Sequence, residues 1–199
     1  MKTALGTILI SEQDIQRRIV DLGQQISKDF ADRTVTLVGI LKGSFVFLAD
    51  LIRAISPEIP VEVDFMSVAS YGDSTTTSGT IHIEKDLGIP IQGKHVIIVE
   101  DIVDSGLTLL HVYNILSGRG ARSLRTAALL EKPGNSKYDK PLDYLGFKIP
   151  SKFVVGFGLD YAQQYRNLRD IRVLDERSEC EPDRAKQVSD ERSECEPDK

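Results

Sequence analysis

The amino-acid sequence predicts an α/β protein with a mostly parallel central sheet flanked by helices. Three observations predict it. Apolar, β-branched runs of strand length recur at 34–41, 95–103, 124–132 and 152–160, with the near-continuous hydrophobicity of strands buried on both faces. Segments with helical spacing alternate with these runs. Several runs stop at small or acidic residues, and in open α/β sheets ligands bind beyond the carboxyl ends of the strands. A chain of 199 residues that is 41% hydrophobic and 28% charged suits one ordinary domain.

The elements follow in order. Ser11 with Asp14 resembles a capping box, and Ile15, Ile19, Leu22 and Ile26 share one face, so the first helix starts there. TVTLVGIL (34–41) reads as a buried strand that breaks at Lys42-Gly43-Ser44 into an apolar helix at 45–55. VEVDFMSVAS (61–70) alternates like a half-buried strand. YGDSTTTSG (71–79) is too polar to pack and reads as a mobile loop, joining 61–70 to TIHIEK (80–85) as a long hairpin. HVIIVEDIV (95–103) is the strongest apolar run and the candidate central strand. After Asp104-Ser105-Gly106 a helix runs from about Thr108 to Leu116, ended by Gly118 and Gly120. LRTAALLEK (124–132) is a further strand, stopped by Pro133-Gly134, and KFVVGFGLD (152–160) is read as the last, ending in an acid. The domain is placed at 1–174. The remainder, 175–199, is a charged tail in which DERSECEPD occurs at 175–183 and again at 190–198. Its few apolar residues cannot offset the entropy of ordering it.

Composition narrows the function classes. A net charge of -5 argues against a general nucleic-acid binder, which needs a basic face. The longest apolar runs are strand-length and broken by charges, so no membrane span is expected. The segment MKTALGTILISEQD carries one Lys and too short an apolar stretch for a leader peptide, and a cytoplasmic location is the default. Both cysteines, Cys180 and Cys195, fall in the tail, so no zinc site, disulfide framework or thiol catalysis is expected in the domain. His82, His95 and His111 have no metal-ligand spacing.

The informative stretch is VIIVEDIVDSGLTL (96–109). A buried strand delivers two adjacent carboxylates, Glu100 and Asp101, then Asp104, then a turn opening a helix. Ser105, Gly106, Leu107 and Thr108 would present backbone N–H groups and two hydroxyls at the helix's positive end, an arrangement suited to a terminal phosphate. Acids beside a phosphate site make sense if the ligand also carries hydroxyls to be accepted, or a Mg²⁺ to be held. A ribose phosphate has that layout.

This stretch resembles the phosphoribosyl pyrophosphate motif of the type I phosphoribosyltransferases. From about residue 5 to 174 the chain is similar to the hypoxanthine-guanine branch of that family. The resemblance is carried further by GILKGSFVF (39–47), SYG (70–72), LLEKP (129–133) and KFVVGFGLDYAQQYRNL (152–168). It implies the type I fold, with a small hood region and a flexible hairpin loop. It also implies a Mg²⁺-dependent transfer of 5-phosphoribosyl from phosphoribosyl pyrophosphate to a 6-oxopurine. Glu100 and Asp101 would then hold the ribose hydroxyls, directly or through Mg²⁺, Asp104 would take the proton from purine N7, and Ser105 to Thr108 would cradle the 5-phosphate. Leu41-Lys42-Gly43 would bind pyrophosphate through main-chain groups by way of a non-proline cis peptide, with Arg166 gripping the same group. Lys132 would donate to the purine O6, Phe153 would stack on the base, and the Val154 main chain would read its edge. Asp160 would hold a second Mg²⁺ at the purine end. Ser70 and Tyr71 would hinge a lid formed by 71–79. Hypoxanthine and guanine stay unresolved and xanthine stays possible, and the family usually forms homodimers or homotetramers. The rival class is a regulator of the same fold that binds nucleic acid.

Overall fold

The computed structural model describes residues 4–70, 81–134 and 136–175. The segment 71–79, with Tyr71, and the tail beyond 175 lie outside the described residues. Along the chain the elements are β1 (Ala4–Ile10), α1 (Glu12–Asp29), β2 (Val35–Leu41), α2 (Phe45–Ala54), β3 (Val61–Ser70), β4 (Ile81–Lys85), β5 (His95–Val103), α3 (Leu107–Ser117), β6 (Ser123–Glu131), β7 (Tyr144–Lys148), β8 (Val154–Val155) and β9 (Ile171–Asp175).

The expected start of α1 is present. Ser11 accepts a hydrogen bond from the Asp14 N–H, and Ile15, Ile19, Leu22 and Ile26 are all buried. Six strands form the main sheet in the order β4-β3-β2-β5-β6-β7. All neighbours are parallel except the β3–β4 pair. β5 lies inside the sheet, between β2 and β6, and its side chains feed two cores. Ile97 and Val99 pack with α1 and α2, while Val96 and Ile98 pack with Leu109, Val112 and Leu116 of α3. Burial on both faces accounts for its apolar run from Val96 to Val99. Gly23 lets α1 and α2 cross closely, since a Cβ there would stand 2.4 Å from the Ala54 carbonyl oxygen.

One expected strand is corrected. Residues 152–160 contribute only the two-residue β8, which joins β1 and β9 in a separate antiparallel sheet. Gly156, Phe157 and Gly158 have φ of 104°, 52° and 99°, which no strand can adopt, so the chain curls away after Val155. Strands β1, β7 and β9 are additions to the sequence reading, and β9 includes Asp175, the first residue assigned there to the tail. Among the described residues no helix is long and apolar enough to cross a membrane.

Candidate active site

The parallel register sets the site. Val103 of β5 lies opposite Glu131 of β6, and the Lys132 N–H donates to the Val103 carbonyl at 2.9 Å. Lys132 therefore stands beside Asp104, and its ammonium donates to the Asp104 carboxylate at 2.6 Å. On the other side of β5, β2 ends at Leu41, and the Leu41–Lys42 peptide is cis, as the resemblance implied. Gly43 follows, packed directly against Asp101: a Cβ there would lie 1.7 Å from Asp101 Oδ2, so the carboxylate would have to move.

The small sheet supplies the opposite wall. Its segment after β8 packs against Gly43, whose carbonyl oxygen would lie 2.3 Å from a Cβ on Gly158. This contact brings Asp160 and Arg166 to the ends of β2 and β5. Arg166 pairs with Asp160 at 2.7 Å and donates to the Gly158 carbonyl at 2.7 Å. Phe153 is half exposed, and Tyr161 meets its ring edge-on at 5.7 Å.

A cavity of about 330 Å³ joins these groups, lined by Lys42, Gly43, Asp101, Ile102, Asp104, Lys132, Phe153, Val154, Leu159, Asp160 and Arg166. Three cations and three acids share its wall. Burial pushes the Asp101 carboxyl up to about 6, with nearby Asp160 adding to the effect and Arg166 opposing it. Two lining residues, Ile102 and Leu159, were absent from the sequence reading. Their one signal was adjacency to an acid, Ile102 following Asp101 and Leu159 preceding Asp160.

Some expected residues lie off this wall. Glu100 is buried behind it, with Oε2 lacking any hydrogen-bond partner among the described residues. Burial first, and the Asp101 charge second, drive its carboxyl well above the usual range. Ser105 to Thr108 sit next to Asp104, at the head of α3. Gly106 is its N-cap at φ 70° and makes no side-chain cap bond, so among the described residues the first-turn backbone N–H groups have no acceptor from the cap residue. A Cβ on Gly106 would also meet Ser136 Oγ at 2.3 Å. Ser70 closes β3, and Tyr71 is outside the described residues.

The model of the phosphoribosyl transferase domain matches residues 8–162. The chain belongs to the phosphoribosyltransferase family. This phosphoribosyltransferase is 48% identical over 171 residues to the hypoxanthine-guanine phosphoribosyltransferase of Dictyostelium discoideum, covering 85% of this chain and 95% of that one. It is 44% identical over 174 residues to the Bacillus subtilis protein of the same name, covering 87% and 96%. Among solved structures, a hypoxanthine phosphoribosyltransferase from Staphylococcus aureus superposes with a TM-score of 0.81 at 44% identity, covering 86% of this phosphoribosyltransferase and 92% of that chain.

Proposed function

We propose that the protein serves purine salvage, transferring 5-phosphoribosyl from phosphoribosyl pyrophosphate to hypoxanthine or guanine and releasing pyrophosphate. One observation carries this reading. One cavity of about 330 Å³ is lined by Lys42, Gly43 and Arg166, by Lys132, Phe153 and Val154, and by the carboxylates of Asp101, Asp104 and Asp160.

Each group has work to do in that reaction. Lys42 and Arg166 neutralise charge on the departing pyrophosphate, the electrostatic part of catalysis. At the head of α3, Ser105 to Thr108 offer backbone N–H donors and hydroxyls to the 5-phosphate. Asp104 and Lys132 touch one another, so one purine edge can meet both, giving its N7 proton to the carboxylate and its O6 to the ammonium. An ammonium donor favours a 6-oxo over a 6-amino purine. Phe153 offers a ring face to the base, and Ile102 and Leu159 give the cavity apolar wall. Proton transfer to Asp104 contributes about 10²–10⁴-fold, so holding sugar and base in line supplies more of the acceleration.

The donor set fits Mg²⁺ carried in with the substrate. Among the described residues there is no cluster of three or more ligating side chains, and Mg²⁺ in phosphate sites takes only one or two carboxylates plus phosphate oxygens. Asp101 and Asp160 are the cavity's hard oxygen donors for it, with Glu100 buried behind them. Three cations balanced by three acids leave a diphosphate's own charge uncompensated, which is what a divalent cation would supply, stabilising the leaving group. A cytoplasmic location and a homodimer or homotetramer go with this reading. A nucleic-acid-binding regulator would be expected to have lost the proton acceptor, and Asp104 stands in the cavity.

The test is an ultraviolet assay of purified protein with Mg²⁺, phosphoribosyl pyrophosphate and each of hypoxanthine, guanine, xanthine and adenine. Conversion of hypoxanthine or guanine with little of adenine is expected. Turnover of adenine alone, or of none, would sink the proposal.

A further inference from the structure

We propose that Gln163 is a positioning residue for the pyrophosphate end of the site, its amide oxygen aiming the Arg166 guanidinium; this rests on the reading above that Arg166 grips pyrophosphate. The segment that carries Arg166 folds back on itself through main-chain bonds. Phe157 N–H donates to the Leu168 carbonyl at 2.9 Å, Gly158 N–H to that of Arg166 at 3.0 Å, and Tyr161 and Gln164 exchange bonds of 3.1 and 2.9 Å. The tight turn between Tyr161 and Gln164 has both central residues left-handed, Ala162 at φ 49° and Gln163 at φ 65°. Such turns favour glycine or asparagine at those places, because a longer side chain crowds the backbone there.

The turn holds a glutamine at its second central position instead, and that glutamine is used twice. Its N–H donates to Asp160 Oδ2 at 2.8 Å, and its Oε1 accepts from Arg166 Nη2 at 3.2 Å. The same guanidinium pairs with Asp160 Oδ1 at 2.7 Å and reaches the Gly158 carbonyl at 2.7 Å. One planar group is thus fixed by a carbonyl, a carboxylate and an amide oxygen, which leaves little freedom in its plane. An amide adds direction without adding a second negative charge to oppose an incoming anion. Gln163 is exposed and the turn closes through its main chain, so neither packing nor folding needs this side chain.

Steady-state kinetics on the full chain, run forwards with phosphoribosyl pyrophosphate and hypoxanthine and backwards with pyrophosphate, test the assignment. Gln163→Met keeps the length and removes the acceptor. It should raise KM for phosphoribosyl pyrophosphate and for pyrophosphate on the order of two- to fivefold, the size of one hydrogen bond, with hypoxanthine KM, kcat and Tm unchanged. Gln163→Glu keeps an acceptor at the same reach but adds a negative charge facing the incoming anion, so it too should raise both KM values, and a KM for pyrophosphate below the parent's would overturn the proposal. Unchanged KM in Gln163→Met overturns the proposal, and so does a parallel rise in hypoxanthine KM or a fall in Tm. Arg166→Lys separates the two layers. If it leaves pyrophosphate KM unchanged, the reading of Arg166 fails and takes this one with it; if it raises KM while Gln163→Met does not, only the positioning role fails.

Discussion

Asp101→Asn should make the protein more stable at neutral pH while abolishing its activity. The Asp101 carboxyl stands in the cavity wall near Asp160 and Arg166, and burial raises it from 3.8 to about 6. The folded chain therefore holds this proton more tightly than the unfolded chain does. The stability that results is fully present below about pH 4 and is lost as pH rises through about 6. At about 1.4 kcal/mol for each tenfold change in proton affinity, the wild type forgoes about 2–3 kcal/mol by pH 8. Asparagine cannot ionise and escapes that loss. For a domain of this size each kcal/mol moves Tm by about 2–4 °C, so the variant should melt about 4–12 °C higher at pH 8. The gap should close by about pH 4. Scanning calorimetry at intervals between the two pH values checks it. A Tm difference that does not change with pH, or a variant less stable at pH 8, would refute the reasoning.

Lys132→Ala should raise KM for the purine about tenfold to a hundredfold, the worth of one charge-assisted hydrogen bond, and shift KM for phosphoribosyl pyrophosphate much less; equal shifts would undo the O6 assignment. Gly43→Ala places a Cβ 1.7 Å from Asp101 Oδ2 and 2.4 Å from its Cγ, so the carboxylate must move. Activity should fall at least about a hundredfold and stability by about 1–3 kcal/mol, measured by assay and denaturant melt. Deleting residues 176–199 should leave kcat and Tm unchanged, because the charged repeat offers little to bury; a drop in either would show that the tail packs.

Much of this was legible in the sequence for a definite reason. β2, β5 and β6 lie within the main sheet, so each carries a long apolar run and their ends fall within a residue of those read from the pattern. Asp101, Asp104 and Lys132 were legible because each stands at the carboxyl end of such a strand. The small sheet was not. β9 has five residues and pairs with β1 from the far end of the chain, and a pairing between termini leaves no local signal. β7, YLGFK, is an edge strand interrupted by a glycine. KFVVGFGLD misled because Val154, Val155, Phe157 and Leu159 are all buried like a strand's residues, while Gly156 and Gly158 take conformations that end one. Glu100 shows a finer limit. Sequence adjacency puts it with Asp101, yet neighbouring strand residues point to opposite faces, and only Asp101 reaches the cavity wall.

The account turns on Asp104 as the group that receives the purine proton. The most direct measurement compares kcat with the dissociation constant for Mg²⁺-phosphoribosyl pyrophosphate in Asp104→Asn, which keeps the shape and loses the base. The account predicts that kcat falls about 10²–10⁴-fold while the dissociation constant stays within about twofold. An undiminished kcat, or a loss explained wholly by weaker sugar binding, would contradict it.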